Sequence, residues 1–160
     1  IESRCLSLIL RQQPVASDLR QVSTALKVVT DLERIGDHAS DIAELILRIK
    51  SEHAYHIVKH LPVMAASANA MVHDAIEAFI NQDLDSAMEI IERDDEVDTL
   101  FNQVKDDVIH LLKSSPDQAD QGIDLLMVAK YLERIGDHAV NVCEWTQFSK
   151  TGALKNVRIM

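Results

Sequence analysis

Apolar residues recur every three or four positions along most of this chain, which is the spacing of one face of an α-helix. The clearest row consists of Ala25, Val28, Leu32, Ile35, Ala39, Ile42, Ile46 and Ile49. One hundred residues later a second row keeps the same register, with Leu125, Val128, Leu132, Ile135, Ala139 and Val142. The two rows predict long helices over residues 18–50 and 118–148.

Three other apolar segments accompany these helices. Residues 1–13 predict the end of another helix, and residues 54–80 predict a helix that is bent or restarted near Pro62. Residues 84–113 predict a further helix with one acid in its apolar row. The members of that row are Ala87, Ile90, Asp94, Val97, Phe101, Val104, Val108 and Leu111. The acid in this row, Asp94, calls for a specific explanation.

Helices of this length joined by short turns can bury their apolar rows in an up-down-up bundle, like that of spectrin repeats. We therefore predict an all-α fold of two tandem three-helix bundles, the first of them incomplete. Residues 1–52 are the remainder of the first repeat, with the end of its middle helix and its last helix. Residues 53–150 form the complete second repeat, and residues 151–160 form a C-terminal tail. An amino-terminal portion is expected to precede Ile1.

Composition narrows the possible functions. The 160 residues include only 4% aromatics and three prolines, which disfavours β-rich folds. A net charge of −10 disfavours nucleic-acid binding and favours cations or basic protein surfaces as partners. The two cysteines form neither a CxxC pair nor a disulfide framework, and no run of eighteen apolar residues is present. We expect a soluble, cytoplasmic protein.

The string LERIGDHA occurs twice, at residues 32–39 and at residues 132–139. Each copy carries a Glu and an Asp four positions apart, beside the apolar row and facing outward. The pairs are Glu33 with Asp37 and Glu133 with Asp137. Two carboxylates at this spacing repel each other by about 0.2–0.5 kcal/mol on an exposed helix, and a nearby cation would remove that cost.

A simpler interpretation of the repeated acids is an ordinary solvated face, on which each Asp pairs with an Arg three positions earlier. The arginines in question are Arg34 and Arg134. The glycines Gly36 and Gly136 favour a functional interpretation instead. Glycine inside a helix costs about 1 kcal/mol relative to alanine. Its presence in both copies indicates the close approach of another helix or of a ligand.

The segment RDDEVD supplies a second type of carboxylate pair, Asp94 and Asp98, again four positions apart. Beside Glu133 and Asp137, this pair would form a cluster of four carboxylates. Such hard oxygen ligands suit Mg²⁺, Mn²⁺, Ca²⁺ or iron, whereas zinc usually recruits His or Cys. Two histidines directly follow the repeated aspartates and could bind the cation or lie in its outer coordination sphere; they are His38 and His138.

Three segments resemble the PhoU family of bacterial phosphate-signalling proteins. They are DLERIGDHASDIAE at 31–44, YLERIGDHAVNVCEW at 131–145 and RQQPVASDLR at 11–20. The resemblance implies two three-helix bundles side by side, with multinuclear iron or zinc clusters on paired E(D)xxxD motifs in some members. It implies metal-ligand roles in the second bundle for Asp94, Asp98, Glu133 and Asp137. In the first bundle it implies them for Glu33 and Asp37, whose partner motif would precede Ile1.

The resemblance also implies a function. PhoU proteins act as adaptors that repress the phosphate-starvation response when phosphate is plentiful. The implied partners are the ATPase of the phosphate ABC transporter and a sensor histidine kinase, with membrane association only through these partners. A homodimer is also expected. PhoU-like domains occur fused to sodium-phosphate cotransporters as well, so a transporter domain is an alternative.

Two other classes of protein stay open from the residues alone. A carboxylate-bridged di-iron or di-manganese enzyme would hold its metal pair in the interior of the bundle. A purely structural helical module would use its acidic faces to meet basic partner surfaces and would bind no metal. The sequence contains no phosphate-binding glycine loop, no nucleophile elbow and no HExxH motif. We therefore expect a protein that is not an enzyme.

Overall fold

The computed structural model describes residues 1–49, 56–154 and 157–158, and nearly all of them are helical. The helices are α1 (Glu2–Gln12), α2 (Ser17–Arg48), α3 (Leu61–Asn81), α4 (Leu84–Glu92), α5 (Asp94–Ser114) and α6 (Ala119–Thr151). A 3-10 turn over Pro116–Gln118 precedes α6. After Gly152, strand β1 (Ala153–Leu154) pairs antiparallel with strand β2 (Val157–Arg158). The predicted all-α fold is confirmed.

One helix bound differs from the prediction, since the helix predicted over residues 84–113 is divided at Arg93 into α4 and α5. The restart predicted near Pro62 is found: residues 56 and 57 are helical, the helix is interrupted, and it begins again at Leu61. Pro62 lacks an N–H group and is best placed in the first turn of a helix. Asp107 of α5 contacts this start, since its Oδ2 accepts from the His60 backbone N–H at 3.2 Å.

The three helical segments α3, α4–α5 and α6 pack together as one bundle. Their apolar rows form its core, which includes Met64, Met71, Val97, Val104, Leu111, Leu125 and Val142. Each such buried side chain contributes about 1.5–3 kcal/mol relative to an exposed one. Asp94 is half-buried between the apolar members of its row. The interior of the bundle is thus apolar, with one carboxylate at its edge.

Helix α2 packs mainly against α6, and α1 packs against α2. Of the apolar row of α2, Val28 is buried, Ala39 and Ile46 are exposed, and the other five members are half-buried. The row is therefore only partly covered, because α2 packs mainly on the side that faces α6. In α6, by contrast, every member of the equivalent row is buried.

The proposed boundary between the repeats, near residue 52, lies outside the described residues. The division into residues 1–52, 53–150 and 151–160 therefore stays a prediction. Among the helices that the structure describes, none has both the length and the hydropathy needed to cross a lipid bilayer.

Candidate functional site

Helices α5 and α6 approach each other closely at Gly136. A Cβ atom at this position would lie 3.3 Å from Asp94 Oδ1 and 3.6 Å from Val97 Cγ1. The carboxylate of Asp94 therefore lies against the backbone of α6, as the glycine in the sequence predicted. At Gly36 the same prediction is not met, since a Cβ there would have no neighbour within 4 Å among the described residues.

The close approach brings the four predicted carboxylates of the second repeat into one cluster. The pKa of Asp94 is raised to about 6, first by burial and then by the negative charges of Asp137, Asp98, Asp95 and Glu133, in that order. The pKa of Asp137 is also raised, first because neighbouring atoms displace part of its hydration although it is exposed, and then by the charge of Glu133. These carboxylates thus repel one another, and the cluster favours a cation. We call Asp94, Asp98, Glu133 and Asp137 the carboxylate cluster.

One cation of the chain already contacts the cluster. Lys130 Nζ pairs with Glu133 Oε2 and also lies 5.4 Å from the centre of the Phe101 ring. Its positive charge lowers the pKa of Asp137, which partly offsets the rise caused by the partial loss of hydration and by Glu133. The ammonium group of Lys130 therefore neutralises part of the negative charge of the cluster.

The cluster lies at the surface. Asp98 and Asp137 are exposed, while Glu133 and Asp94 are half-buried. In the part of the chain that the structure describes, no three His, Cys, Asp or Glu side chains are arranged to hold a metal ion together. The carboxylates are therefore close enough to interact but do not form a ready coordination sphere. Their oxygen donors fit a hard divalent cation, which would have to rotate them and displace Lys130 from Glu133.

The carboxylates of the first repeat have a different environment. Glu33 and Asp37 are both exposed on α2. Asp37 Oδ2 lies 3.5 Å from Arg34 Nη1, so the ordinary solvated pair considered from the sequence is formed in this repeat. No described helix packs against Gly36 as α5 packs against Gly136. Among the described residues, no group of three potential metal ligands includes Glu33 or Asp37.

The histidines of the repeated string contribute to the joint between α2 and α6. His138 Nδ1 lies 2.8 Å from Asp31 Oδ1, which also accepts from Asn141 Nδ2 at 3.1 Å. The His38 ring stacks on those of Tyr131 and His138, with centroid distances of 5.4 and 5.6 Å. The predicted role of His38 and His138 as cation ligands or outer-sphere groups stays a prediction.

This joint uses the same positions of both repeats. Asp31 and Tyr131 occupy the same position of the repeat, as do His38 and His138. Each of the first two contacts the histidine of the other repeat, so α2 and α6 meet through reciprocal contacts. Burial lowers the pKa of His38, and the positive charges of His138 and Arg134 lower it further. Sequence reasoning missed Asp31, Tyr131 and Asn141, although the doubled string was itself a signal that two equivalent helices pack together.

Comparison with known proteins gives a consistent result. The sequence profile of the PhoU domain matches residues 1–46 and 61–146. The phosphate-specific transport system accessory protein PhoU homolog of Clostridium acetobutylicum is 42% identical over 95% of this chain and 70% of its own length. Its counterpart in Borreliella burgdorferi is 32% identical over 98% of this chain and 73% of its own length.

Solved structures agree with the sequence comparisons. The crystal structure of PhoU from Pseudomonas aeruginosa superposes with a TM-score of 0.86 at 31% identity, over 95% of this chain and 73% of that one. The phosphate transport system regulatory protein PhoU from Streptococcus pneumoniae superposes with a TM-score of 0.83 at 30% identity. That match covers 96% of this chain and 72% of the other.

Proposed function

This chain belongs to the PhoU family, and from that premise we propose that it is an accessory protein of a phosphate-specific transport system. Two curated relatives carry that description, and this chain spans 70% and 73% of their lengths. Because both relatives are described as accessory proteins and neither as a cotransporter, the comparisons support the accessory protein over the transporter domain.

The carboxylate cluster is the observation that carries the rest of the proposal. Asp94, Asp98, Glu133 and Asp137 would hold a divalent or multinuclear metal, with iron, zinc, manganese and magnesium as candidates. When bound, such a metal supplies positive charge that joins α5 to α6. Among these metals, magnesium and manganese fit the all-oxygen donors best. Glu33 and Asp37 are proposed as ligands in the first repeat, and His38 and His138 as outer-sphere groups.

The chain's own residues give this site its properties. Gly136 lets Asp94 reach the backbone of α6, and Lys130 neutralises part of the charge by pairing with Glu133. The cluster is partly exposed, so cations can enter it from solvent. This location favours a regulatory cation site over a di-metal oxidase, which would hold its metals in the bundle interior. We therefore propose an adaptor and not an enzyme.

The proposed partners follow from the family. An accessory protein of this type would repress the phosphate-starvation response by contacting the ATPase of the phosphate ABC transporter and a sensor histidine kinase. The net charge of −10 favours basic protein surfaces over nucleic acid as partners. We further propose a cytoplasmic homodimer that reaches the membrane only through its partners.

A complementation experiment tests this function. A bacterium that lacks its own PhoU would receive the complete protein, and both phosphate uptake and a phosphate-starvation reporter would be measured in phosphate-rich medium. We expect the wild-type protein to silence the reporter and the double variant Asp94→Ala/Asp98→Ala to leave it active. Asp106→Ala, an exposed acid on the same helix α5, is the matched control and should behave as the wild type.

The possible outcomes separate the two parts of the proposal. A wild-type protein that is produced but leaves both the reporter and phosphate uptake unchanged would contradict the accessory role. A double variant that silences the reporter as well as the wild type would contradict the role of the carboxylate cluster and leave the accessory role in place.

A further inference from the structure

The two copies of LERIGDHA jointly line a surface pocket between α2 and α6. It has a volume of about 420 Å³ and is lined by Arg34, His38, Arg134, Asp137, His138 and Asn141. Arg34 and Arg134 occupy the same position of the repeat. They line one pocket because α2 and α6 meet through the reciprocal contacts described above.

The arginines of this pocket have a weak partner or none. Arg34 pairs with Asp37 at 3.5 Å, but both side chains are more than half exposed, and such pairs contribute about 0–1 kcal/mol. Arg134 forms no ion pair with an acid in the described ranges 1–49, 56–154 and 157–158. His38 Nδ1 is buried without a hydrogen bond and lies 3.9 Å from Asp41 Oδ2, and burial lowers the pKa of His38. The two guanidinium groups therefore supply the positive charge of this pocket, on a protein whose net charge is −10.

We propose that this pocket binds a phosphate-type oxyanion. A guanidinium group is always charged, and its planar fork binds the oxygens of phosphate in pairs. Arg34 and Arg134 come from opposite helices, so they can contact oxygens on two sides of one tetrahedral ion. The volume admits a phosphate together with several waters, each of which takes about 30 Å³. This goes beyond the proposed accessory role, which requires no phosphate to touch the chain.

Asp137 separates this proposal from the proposed metal site. Its carboxylate belongs both to the carboxylate cluster and to the wall of the pocket. The same negative charge therefore attracts a cation on one side and repels an anion on the other. Asp137→Asn is expected to weaken metal binding and to strengthen phosphate binding several-fold. The two sites thus respond to one substitution with opposite signs.

Isothermal titration calorimetry of the complete, metal-free protein with sodium phosphate tests the proposal, at an ionic strength held constant with sodium chloride. We expect saturable binding that Arg34→Gln and Arg134→Gln each weaken by about tenfold or more, since each removes charged hydrogen bonds. Arg48→Gln is the control. Arg48 lies on the same helix α2 but outside the pocket, and it pairs with Asp124 at 3.3 Å. It should leave the affinity within about twofold.

The bound group could be free inorganic phosphate or the phosphoryl group of a larger molecule, and phenyl phosphate distinguishes them. Binding of inorganic phosphate alone supports the free ion, whereas binding of phenyl phosphate through the same arginines supports a phosphoryl group. Absence of binding by both, or binding that persists in both glutamine variants, would overturn the proposal. Both arginines are exposed, so the variants should keep the helical circular dichroism spectrum. Because the protein is metal-free, failure here leaves the proposed metal site unaffected.

Discussion

Two glycines at the same position of two identical octapeptides have different surroundings in this protein. A Cβ at Gly136 would contact Asp94 Oδ1 at 3.3 Å, whereas a Cβ at Gly36 would have open space in the described structure. The local sequence is the same, so the difference comes entirely from the helix packed against each copy. At Gly136 that helix is α5, which brings Asp94.

The two glycines provide a matched pair of substitutions. Gly36→Ala should raise the free energy of unfolding by about 1 kcal/mol, because alanine is favoured over glycine in an exposed helix. Gly136→Ala should leave the free energy of unfolding almost unchanged. The new methyl group displaces the Asp94 carboxylate, and this cost offsets the gain of about 1 kcal/mol from alanine. Urea unfolding of both variants without metal measures this difference. Equal stabilisation by the two substitutions would contradict the close contact between Asp94 and α6.

The raised pKa of Asp94 leads us to expect that the stability of the protein depends on pH. This pKa is raised in the folded protein from 3.8 to about 6. Between these values the folded state keeps a proton that the unfolded chain has lost, so stability from this group is full at low pH and falls as the pH rises. The expected loss between about pH 4 and about pH 6 is on the order of 1 kcal/mol, because partial exposure screens the charge.

The variant Asp94→Asn isolates this contribution. It should unfold at a higher urea concentration than the wild type above about pH 6, and the advantage should vanish near pH 4. The difference in stability between the wild type and Asp94→Asn is the quantity to measure at each pH. The stability of either protein alone also contains the effect of Asp83, which has the opposite sign. Hydrogen bonds from Ser86 lower the pKa of Asp83, so its contribution is lost as the pH falls. A wild-type advantage at neutral pH in metal-free buffer would contradict the repulsion in the cluster.

At the scale of elements, the pairing of α2 with α6 is the contact that joins the two repeats. Its polar centre is Asp31, which is 9% exposed and binds both His138 and Asn141. A buried acid with two partners contributes through both hydrogen bonds, and its loss leaves both partners unsatisfied. The joint is therefore specific as well as apolar.

Asp31→Ala should lower the free energy of unfolding by about 1–3 kcal/mol, because two partly buried groups lose their acceptor. Asp37→Ala, six residues along the same helix, removes only the exposed pair with Arg34 and should cost less than about 1 kcal/mol. Thermal or urea unfolding of the metal-free protein compares the two. Equal effects would show that Asp31 does not hold α2 against α6.

The helices could be predicted from the sequence, because apolar residues every three or four positions place one buried face on each helix. The carboxylate cluster could be predicted as well, because Asp94 interrupts an apolar row and Gly136 permits close approach. The break at Arg93 and the exposure of Ala39 and Ile46 could not be predicted. They depend on how the helices pack against one another, which the apolar period does not specify. Asp31 was missed for the same reason, as its partners lie more than one hundred residues away.

At the scale of the whole molecule, acidic charge is concentrated where two helices of one bundle meet, while basic side chains meet at the joint between the repeats. The carboxylate cluster favours a cation, and the arginine pocket beside it favours an anion. Asp137 belongs to both. On the functions proposed above, ions bound at either site would act through the packing of α2, α5 and α6.

The most direct test of this account is the binding of divalent cations to chelator-treated protein. Mg²⁺, Mn²⁺, Fe²⁺ and Zn²⁺ would each be titrated into the wild type, Asp94→Ala/Asp98→Ala, Glu133→Ala/Asp137→Ala and the control Asp106→Ala. We expect saturable binding that stabilises the wild type and the control by about 2.7 kcal/mol at one hundred times the dissociation constant. Both double variants should lose it equally. Failure of the wild type to bind any of these cations, or binding that survives in both double variants, would contradict a cation site between α5 and α6.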